Sequence, residues 1–251
     1  MVFTRDLRVH DNPALTSAIA RSEFVLPLFV LDDELLRSAV AAPPRRRAFL
    51  AGSLADLDSS LRARGGGLVV RRGEWTAEVM RAALSAGASD IYLTDDITSF
   101  SQRRLGLLQA AADAAGIAVH REVGVTVVPP GDLVPSGRDS YAVFTPYWRA
   151  WEAHPWRAAL PAPTRISLPP QFADEIARGL SALVAVGAPV ASVAAGETAG
   201  RARVTDWRAN GLHDYEAKHD DLAAASTSGL SMYLHFGCLS PLEVATHLRA
   251  R

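Results

Sequence analysis

The chain has 251 residues, 49% of them hydrophobic and 21% charged, with a formal net charge of −1. This is a globular composition with room for one large domain or two ordinary ones, and it excludes a global electrostatic footprint for nucleic acid, so any such surface has to be local. The single cysteine, Cys238, excludes an internal disulfide framework, the start is charged by its fifth residue, and no apolar run approaches the length of a membrane span; the expectation is a cytoplasmic protein without membrane association.

In chain order, Met1 to Thr4 reads as the end of a buried strand, shorter than a normal first strand. A polar loop, Arg5-Asp6-Leu7-Arg8-Val9-His10-Asp11, follows it. Asn12-Pro13 then starts a helix, with Asn as cap and Pro in the first turn. Phe24 to Leu31 is a continuous apolar run, as expected of a strand covered on both faces. Pro43-Pro44 precede a long amphipathic helix to about Arg64, with Phe49, Leu50, Leu54, Leu57 and Leu61 on its apolar face and three glycines stopping it. Leu68 to Val70 is a strand, Trp75 to Ala86 a helix, Asp90 to Thr94 a strand, Phe100 to Ala115 a helix and Ile117 to His120 a strand. Strands alternating with helices predict a parallel five-stranded sheet with helices on both faces and right-handed crossovers. In such sheets ligands lie beyond the carboxyl ends of the strands, where strand order reverses. No Gly-x-Gly-x-x-Gly turn follows the first strand; the polar loop takes its place.

From Val127 to about Gln171 nine prolines mark a long irregular connector, and six aromatics within it (Tyr141, Phe144, Tyr147, Trp148, Trp151 and Trp156) predict that it is packed. Helical patterning then dominates. Glu197 to Ala209 reads as a helix closed by Gly211, Leu230 to Phe236 as another, and Ser240-Pro241-Leu242-Glu243 as a capping box opening a helix to Arg251. A domain ending inside a helix is expected to be incomplete. Residues 1–128 are read as the α/β domain, 129–172 as the connector and 173–251 as the start of a helical domain.

Thr227-Ser228-Gly229-Leu230-Ser231 places three hydroxyls within five residues just before an apolar helical run. Hydroxyls and free N–H groups at a helix start converge on one place, where the dipole favours negative charge, so the stretch is a candidate phosphate seat as well as a plain cap. The arginine clusters at 45–47, 71–72 and 103–104 lie at helix or strand ends and are read as solvated faces. The seven histidines show no metal spacing, and neither a nucleophile elbow nor a Walker loop is present.

Taken together, Arg5-Asp6-Leu7-Arg8, His10-Asp11-Asn12 with Leu15, the segments 25–36, 49–73 and 143–151, and the Thr227–Ser231 stretch resemble the cryptochrome/photolyase family, in order and over essentially the whole chain. The resemblance implies an antenna domain of the α/β type, a linker, and a helical domain binding FAD. By that resemblance Tyr215, Thr227, Ser228, Gly229, Leu230 and Ser231 are the cofactor-binding residues, and the tyrosine ring packs on the flavin. It also implies light-driven electron transfer from reduced FAD to a cyclobutane pyrimidine dimer flipped out of damaged DNA, as in a deoxyribodipyrimidine photolyase acting as a monomer. The alternatives are a cryptochrome-type photoreceptor without repair activity, and a flavin-free nucleotide-binding module. Two departures stand out. His219 occupies a position where family members carry a phosphate-binding arginine, leaving it as the candidate DNA contact. Ile97-Thr98-Ser99 lacks the carboxylate expected beside a pterin, which disfavours a folate antenna and leaves a deazaflavin, a second flavin or none. The catalytic residues are expected beyond Arg251, so this chain by itself is expected to hold FAD loosely and to repair nothing.

Overall fold

A computed structural model describes residues 1–37, 43–178, 194–221 and 227–249. Five parallel strands, β1 (Val2–Phe3), β2 (Leu28–Asp32), β3 (Val69–Gly73), β4 (Asp90–Asp95) and β5 (Ala118–Val123), form one sheet in the order β3-β2-β1-β4-β5. The order runs outward from β1 in one direction and then restarts beyond it with β4. The switch point is therefore at the carboxyl end of β1, between β2 and β4.

Alternation along the strands builds two cores. Phe3, Phe29, Leu31, Val70 and Tyr92 face α1 (Pro13–Arg21) and α3 (Pro44–Arg62). Their neighbours Val2, Leu28, Val30, Val69, Ile91 and Leu93 face α4 (Trp75–Ala86) and α5 (Ser99–Ala114). Successive side chains on a strand point to opposite faces, so a strand segment covered on both faces needs apolar residues at every position, as 28–31 of β2 and 91–93 of β4 have. Asn12 caps α1, accepting from the Leu15 N–H at 3.0 Å, as its sequence predicts. The predicted run from Phe24 enters the sheet only at Leu28. Pro27 lacks the ladder donor, and Phe24 is exposed.

Before residue 170, two α-helices lie where the sequence predicts none. α2 (Asp33–Arg37) follows β2 directly, with Asp32 Oδ1 accepting from the Glu34 N–H at 2.9 Å. α6 (Phe144–Ala153) interrupts the connector, and the expectation that its aromatics pack holds for only some of them. Trp151 and Trp156 lie against each other, with the Arg249 guanidinium over Trp156, and Tyr147 meets the Tyr141 ring edge-on at 5.8 Å, whereas Phe144 (72% exposed), Tyr147 and Trp148 are all exposed to solvent. Spacings of three and four residues place those three on one face of a helix.

Beyond the connector come α7 (Ala173–Arg178), α8 (Gly196–Asn210), α9 (Tyr215–Lys218), α10 (Ser231–His235) and α11 (Pro241–Arg249). The last two residues of the predicted terminal helix, 250 and 251, lie outside the described residues. α8 and α10 pack on α3: Phe49 meets the Tyr233 ring edge-on at 5.2 Å and stacks on Phe236 at 5.3 Å. No described helix is long and apolar enough to cross a membrane.

The first loop joins the two parts. Asp6, Arg8, Asp11 and Asn12 are all buried. Arg8 donates to the carbonyls of Asp11 (2.9 Å), Gly124 (2.7 Å) and Gly237 (3.1 Å). Asp11, in a left-handed conformation (φ 46°), accepts from Arg157, the Leu160 N–H and the Ser240 hydroxyl. Glu197, at the start of α8, accepts from the Val9 and His10 N–H groups at 2.8 and 3.0 Å. Burial pushes the Asp6 carboxyl above its ordinary range, against the Thr4 N–H, the Thr94 hydroxyl and the Arg8 charge. A buried polar network of this kind is stable only when each member has partners, and here the loop's polar residues are satisfied within the protein. The loop that stands where a dinucleotide turn would stand is thus mainly a structural rivet. Only Arg5 turns toward the switch point.

Candidate functional site

Two sites emerge, one at the switch point and one on α8. At the first, the carboxyl ends of β1 and β2 open into a cavity of about 240 Å3. Its walls are apolar and aromatic, from Leu35 and Leu36 of α2, Leu50 of α3, Trp75, Phe100 and Phe236. Its polar groups include Arg5, Arg46, Arg47, Arg104, Thr98 and His235, with no carboxylate among the lining residues. Arg104 lies between two rings, its guanidinium 4.4 Å from the Trp75 centroid and 4.7 Å from Phe100, while donating to Asp32 at 3.1 Å. The Nε atoms of Arg104 and Arg47 are buried and have no acceptor among the described residues. A buried donor left unpaired costs about 1–3 kcal/mol, which is the mark of a site shaped for an acceptor-bearing ligand.

The margin of the cavity is electrostatically ordered. Arg5 donates to Asp96 Oδ2 at 3.2 Å and to the His235 carbonyl at 3.0 Å. Burial pushes the Asp96 carboxyl up, but the Thr98 N–H and the Arg5 charge outweigh it and hold it below its ordinary value. Burial, then Arg5 and Arg46, hold His235 below its ordinary value, so its ring is mostly neutral at pH 7. The cavity therefore offers guanidinium, hydroxyl and neutral imidazole groups to a flat ring.

Reading all the arginine pairs as solvated faces is corrected here. Arg104 is buried in the cavity wall, and Arg71 makes a two-pronged bond with Glu175 of α7, at 2.7 and 3.0 Å, with 14% of its side chain exposed. Arg72 and Arg103 are exposed, paired with Asp33 and Glu34. The sequence spacing of Trp75, Phe100 and Arg104 gives no sign of convergence; the β-α-β crossovers bring them together. Chain order could have pointed to them only as residues following the ends of β3 and β4.

On the second site, α8 gathers the residues picked out by sequence. Arg203 donates to the carbonyls of Ser228 (2.9 Å) and Thr227 (3.3 Å), and Trp207, one turn further along the same face, meets the Tyr215 ring edge-on at 5.9 Å. Tyr215 and the 227–231 turn are thereby attached to one helix face. Tyr215, Thr227 and Ser231 are exposed and Ser228 is half-buried; the Leu230 side chain is in the core, and its N–H donates to Ser228 Oγ at 3.5 Å. Gly229 adopts φ +66°, the left-handed conformation that gives the turn its reversal. Three hydroxyls on an exposed turn form a donor set that suits a phosphate, and the carbonyls that would repel one are engaged by Arg203. Arg203 and Trp207 are the residues that sequence reasoning missed. The stretch 222–226, between the tyrosine and the turn, lies outside the described residues.

His219 is exposed, and its Nδ1 lies 3.0 Å from the Glu216 carbonyl and 3.2 Å from that of Tyr215. Its ring is tilted over Tyr215 at 5.4 Å.

The family model described as DNA photolyase matches residues 1–165. The chain is 40% identical over 259 aligned positions to a deoxyribodipyrimidine photo-lyase of Streptomyces griseus, covering 100% of this chain and 55% of that protein. Its fold is similar to that of a cryptochrome of Synechocystis sp. PCC6803 (TM-score 0.84, 25% identity, 99% of this chain and 54% of that one). It is also similar to that of an archaeal photolyase of Sulfolobus tokodaii whose crystal structure contains two FAD molecules (TM-score 0.82, 22% identity, 100% and 54%). The chain thus spans about half the length of these relatives.

Proposed function

The chain belongs to the DNA photolyase family, and from that premise we propose that it supplies the antenna domain and part of the FAD seat of a light-driven enzyme repairing cyclobutane pyrimidine dimers in DNA. The observation that carries the reading is that one face of α8 holds both the Tyr215 ring and the hydroxyl-rich turn at 227–231. Residues 1–128 form the α/β unit in this reading, 129–172 the connector and 173–251 the beginning of the helical unit.

In this reading Thr227, Ser228 and Ser231 hold the pyrophosphate of FAD, Gly229 lets the backbone approach it, Leu230 anchors the turn in the core, and Tyr215 packs against the cofactor. The flavin supplies the electron when reduced and illuminated. The protein's own part is to fix the turn through Arg203, to fix Tyr215 through Trp207, and to exclude water from the ring side. The cavity at the switch point holds a second, light-harvesting chromophore. Its arginines with free Nε donors and its lack of carboxylates suit a planar ring with an acceptor-rich edge, such as a flavin or deazaflavin, rather than a pterin with donors to satisfy.

The test is extraction of chromophore from protein purified from its native source, with the 251-residue chain titrated in parallel with FAD. FAD plus a flavin-type second chromophore supports the reading; stoichiometric folate overturns the antenna assignment. Unchanged FAD affinity in a Ser228→Ala, Ser231→Ala double variant overturns the seat. Light-dependent loss of dimers from an oligonucleotide, assayed on the longest form of the protein made by the source organism, tests repair. A cryptochrome-type photoreceptor is the second reading. It is favoured by His219, whose ring nitrogen turns back onto its own helical turn instead of outward. Absence of repair with FAD bound would select it.

A further inference from the structure

Helix α10 is five residues long, and its two ends belong to different sites. Ser231, its first residue, is the last hydroxyl of the 227–231 turn. His235, its last, and Phe236, which follows, stand in the wall of the switch-point cavity. A helix this short has no stability of its own in water, so α10 is only as fixed as the contacts that hold it. Its middle is pinned: Tyr233 is buried edge-on against Phe49, and its hydroxyl donates to the Ala194 carbonyl at 2.8 Å. Its start is tied inward through Leu230, whose side chain is in the core and whose carbonyl accepts from the Leu234 N–H at 3.0 Å. Its end is tied to the first loop. The Arg5 side chain donates to the His235 carbonyl at 3.0 Å, and the Leu7 N–H donates to the Phe236 carbonyl at 3.3 Å. Arg5 and Phe236 therefore serve the end of α10 and the cavity wall at once. Phe236 also stacks on Phe49 at 5.3 Å, and Leu50, the next residue of α3, lines the same cavity.

We propose, resting on the assignment of a chromophore to the cavity and of FAD to the 227–231 turn, that α10 couples the two sites: a planar ring in the cavity tightens FAD binding, and FAD tightens the ring. A ligand shifts a conformational equilibrium only through contacts that differ between its states. A ring in the cavity meets Arg5, His235 and Phe236 together only when the end of α10 is seated on the first loop. FAD meets Ser231 alongside Thr227 and Ser228 only when the start of α10 is in place. The cavity, about 240 Å3, gives Phe236 room to shift, and a ring filling it takes that room away. Five residues closed by the Leu234 to Leu230 backbone bond do not seat one end while the other wanders, so both ligands favour the same state. Coupling of this kind is reciprocal, and both affinities change by the same factor.

The test titrates the chain with FAD in the presence and absence of saturating deazariboflavin, a planar ring without a pyrophosphate, and then with deazariboflavin in the presence and absence of FAD. Both dissociation constants are expected to fall by the same factor, at least about fivefold. With deazariboflavin alone, amide exchange at Tyr233, Leu234 and His235 is expected to slow at least about threefold. Leu234 is exposed and outside the cavity wall, so Leu234→Gly loosens α10 without touching either ligand. That variant is expected to bind each ligand singly within about threefold of the parent chain and to cut the coupling below about twofold. Equal FAD affinity with and without deazariboflavin, where each binds alone, overturns the coupling and leaves both sites standing. Failure of either ligand to bind alone refutes the site assignments and the coupling with them. Full coupling retained in Leu234→Gly overturns α10 as its route.

Discussion

Replacing Gly237 by alanine tests how the helical part is seated on the sheet. Gly237 has φ +67°, and a Cβ placed there would lie 1.8 Å from the Arg5 carbonyl oxygen, 2.3 Å from its carbon and 2.6 Å from the Asp6 nitrogen. All three are backbone atoms of the first loop, so no side-chain rotation relieves the contact. The left-handed conformation alone costs a non-glycine residue about 1–2 kcal/mol. Relieving the clash means moving the turn by more than an ångström, which breaks the Leu7 N–H to Phe236 carbonyl bond (3.3 Å) and the Arg8 to Gly237 carbonyl bond (3.1 Å). At about 1 kcal/mol for the first and 1.5–3 for the second, charge-assisted one, the total is about 4–6 kcal/mol. For a chain of this size that corresponds to a fall in Tm of about 8–24 °C. Gly116→Ala is the control, since Gly116 has nearly the same φ (+69°) but nothing within 4 Å of its would-be Cβ; it should lose only about 1–2 kcal/mol. Thermal melts of both variants decide the matter. Equal shifts would refute the reasoning, because they would mean that the close approach of the turn to the first loop costs nothing.

Glu197→Ala should destabilise the chain by about 2–4 kcal/mol in denaturant titrations, since it strands the Val9 and His10 N–H groups, and Glu197→Gln should recover part of the loss. Arg104→Met should leave the fold intact in circular dichroism while weakening chromophore binding at the switch point at least about tenfold, because the methionine keeps the packing between Trp75 and Phe100 but removes the free Nε donor. The Met1 amine makes stability pH-dependent in a definite sense. Its folded value is lowered from 8.0 to about 5 by burial, so between those values the unfolded chain binds a proton that the folded chain rejects, and stability rises with pH. Three pK units at about 1.36 kcal/mol each give up to about 4 kcal/mol between pH 5 and pH 8. Titrations at the two pH values should show this slope, and acetylation of the amine should remove its share; an unchanged slope after acetylation would count against it.

The sequence alone carries the local grammar of this protein. Asn12 as a cap, Gly65 and Gly211 as stops, and apolar runs against amphipathic ones determine where most strands and helices lie, because those choices depend on neighbours within a few residues. The hydroxyl turn at 227–231 was legible for the same reason: its chemistry is contiguous. What the sequence could not state is which distant residues meet. Arg104 and Arg8 look in the sequence like any solvated arginine, and only the crossovers place one between Trp75 and Phe100 and the other under three carbonyls. Phe144, Tyr147 and Trp148 look like core and face solvent. The face of α8 that ties Tyr215 to Ser228 exists only once the helices have packed. Such meetings are decided by long-range packing, whose energy depends on pairs of residues that chain order does not bring together.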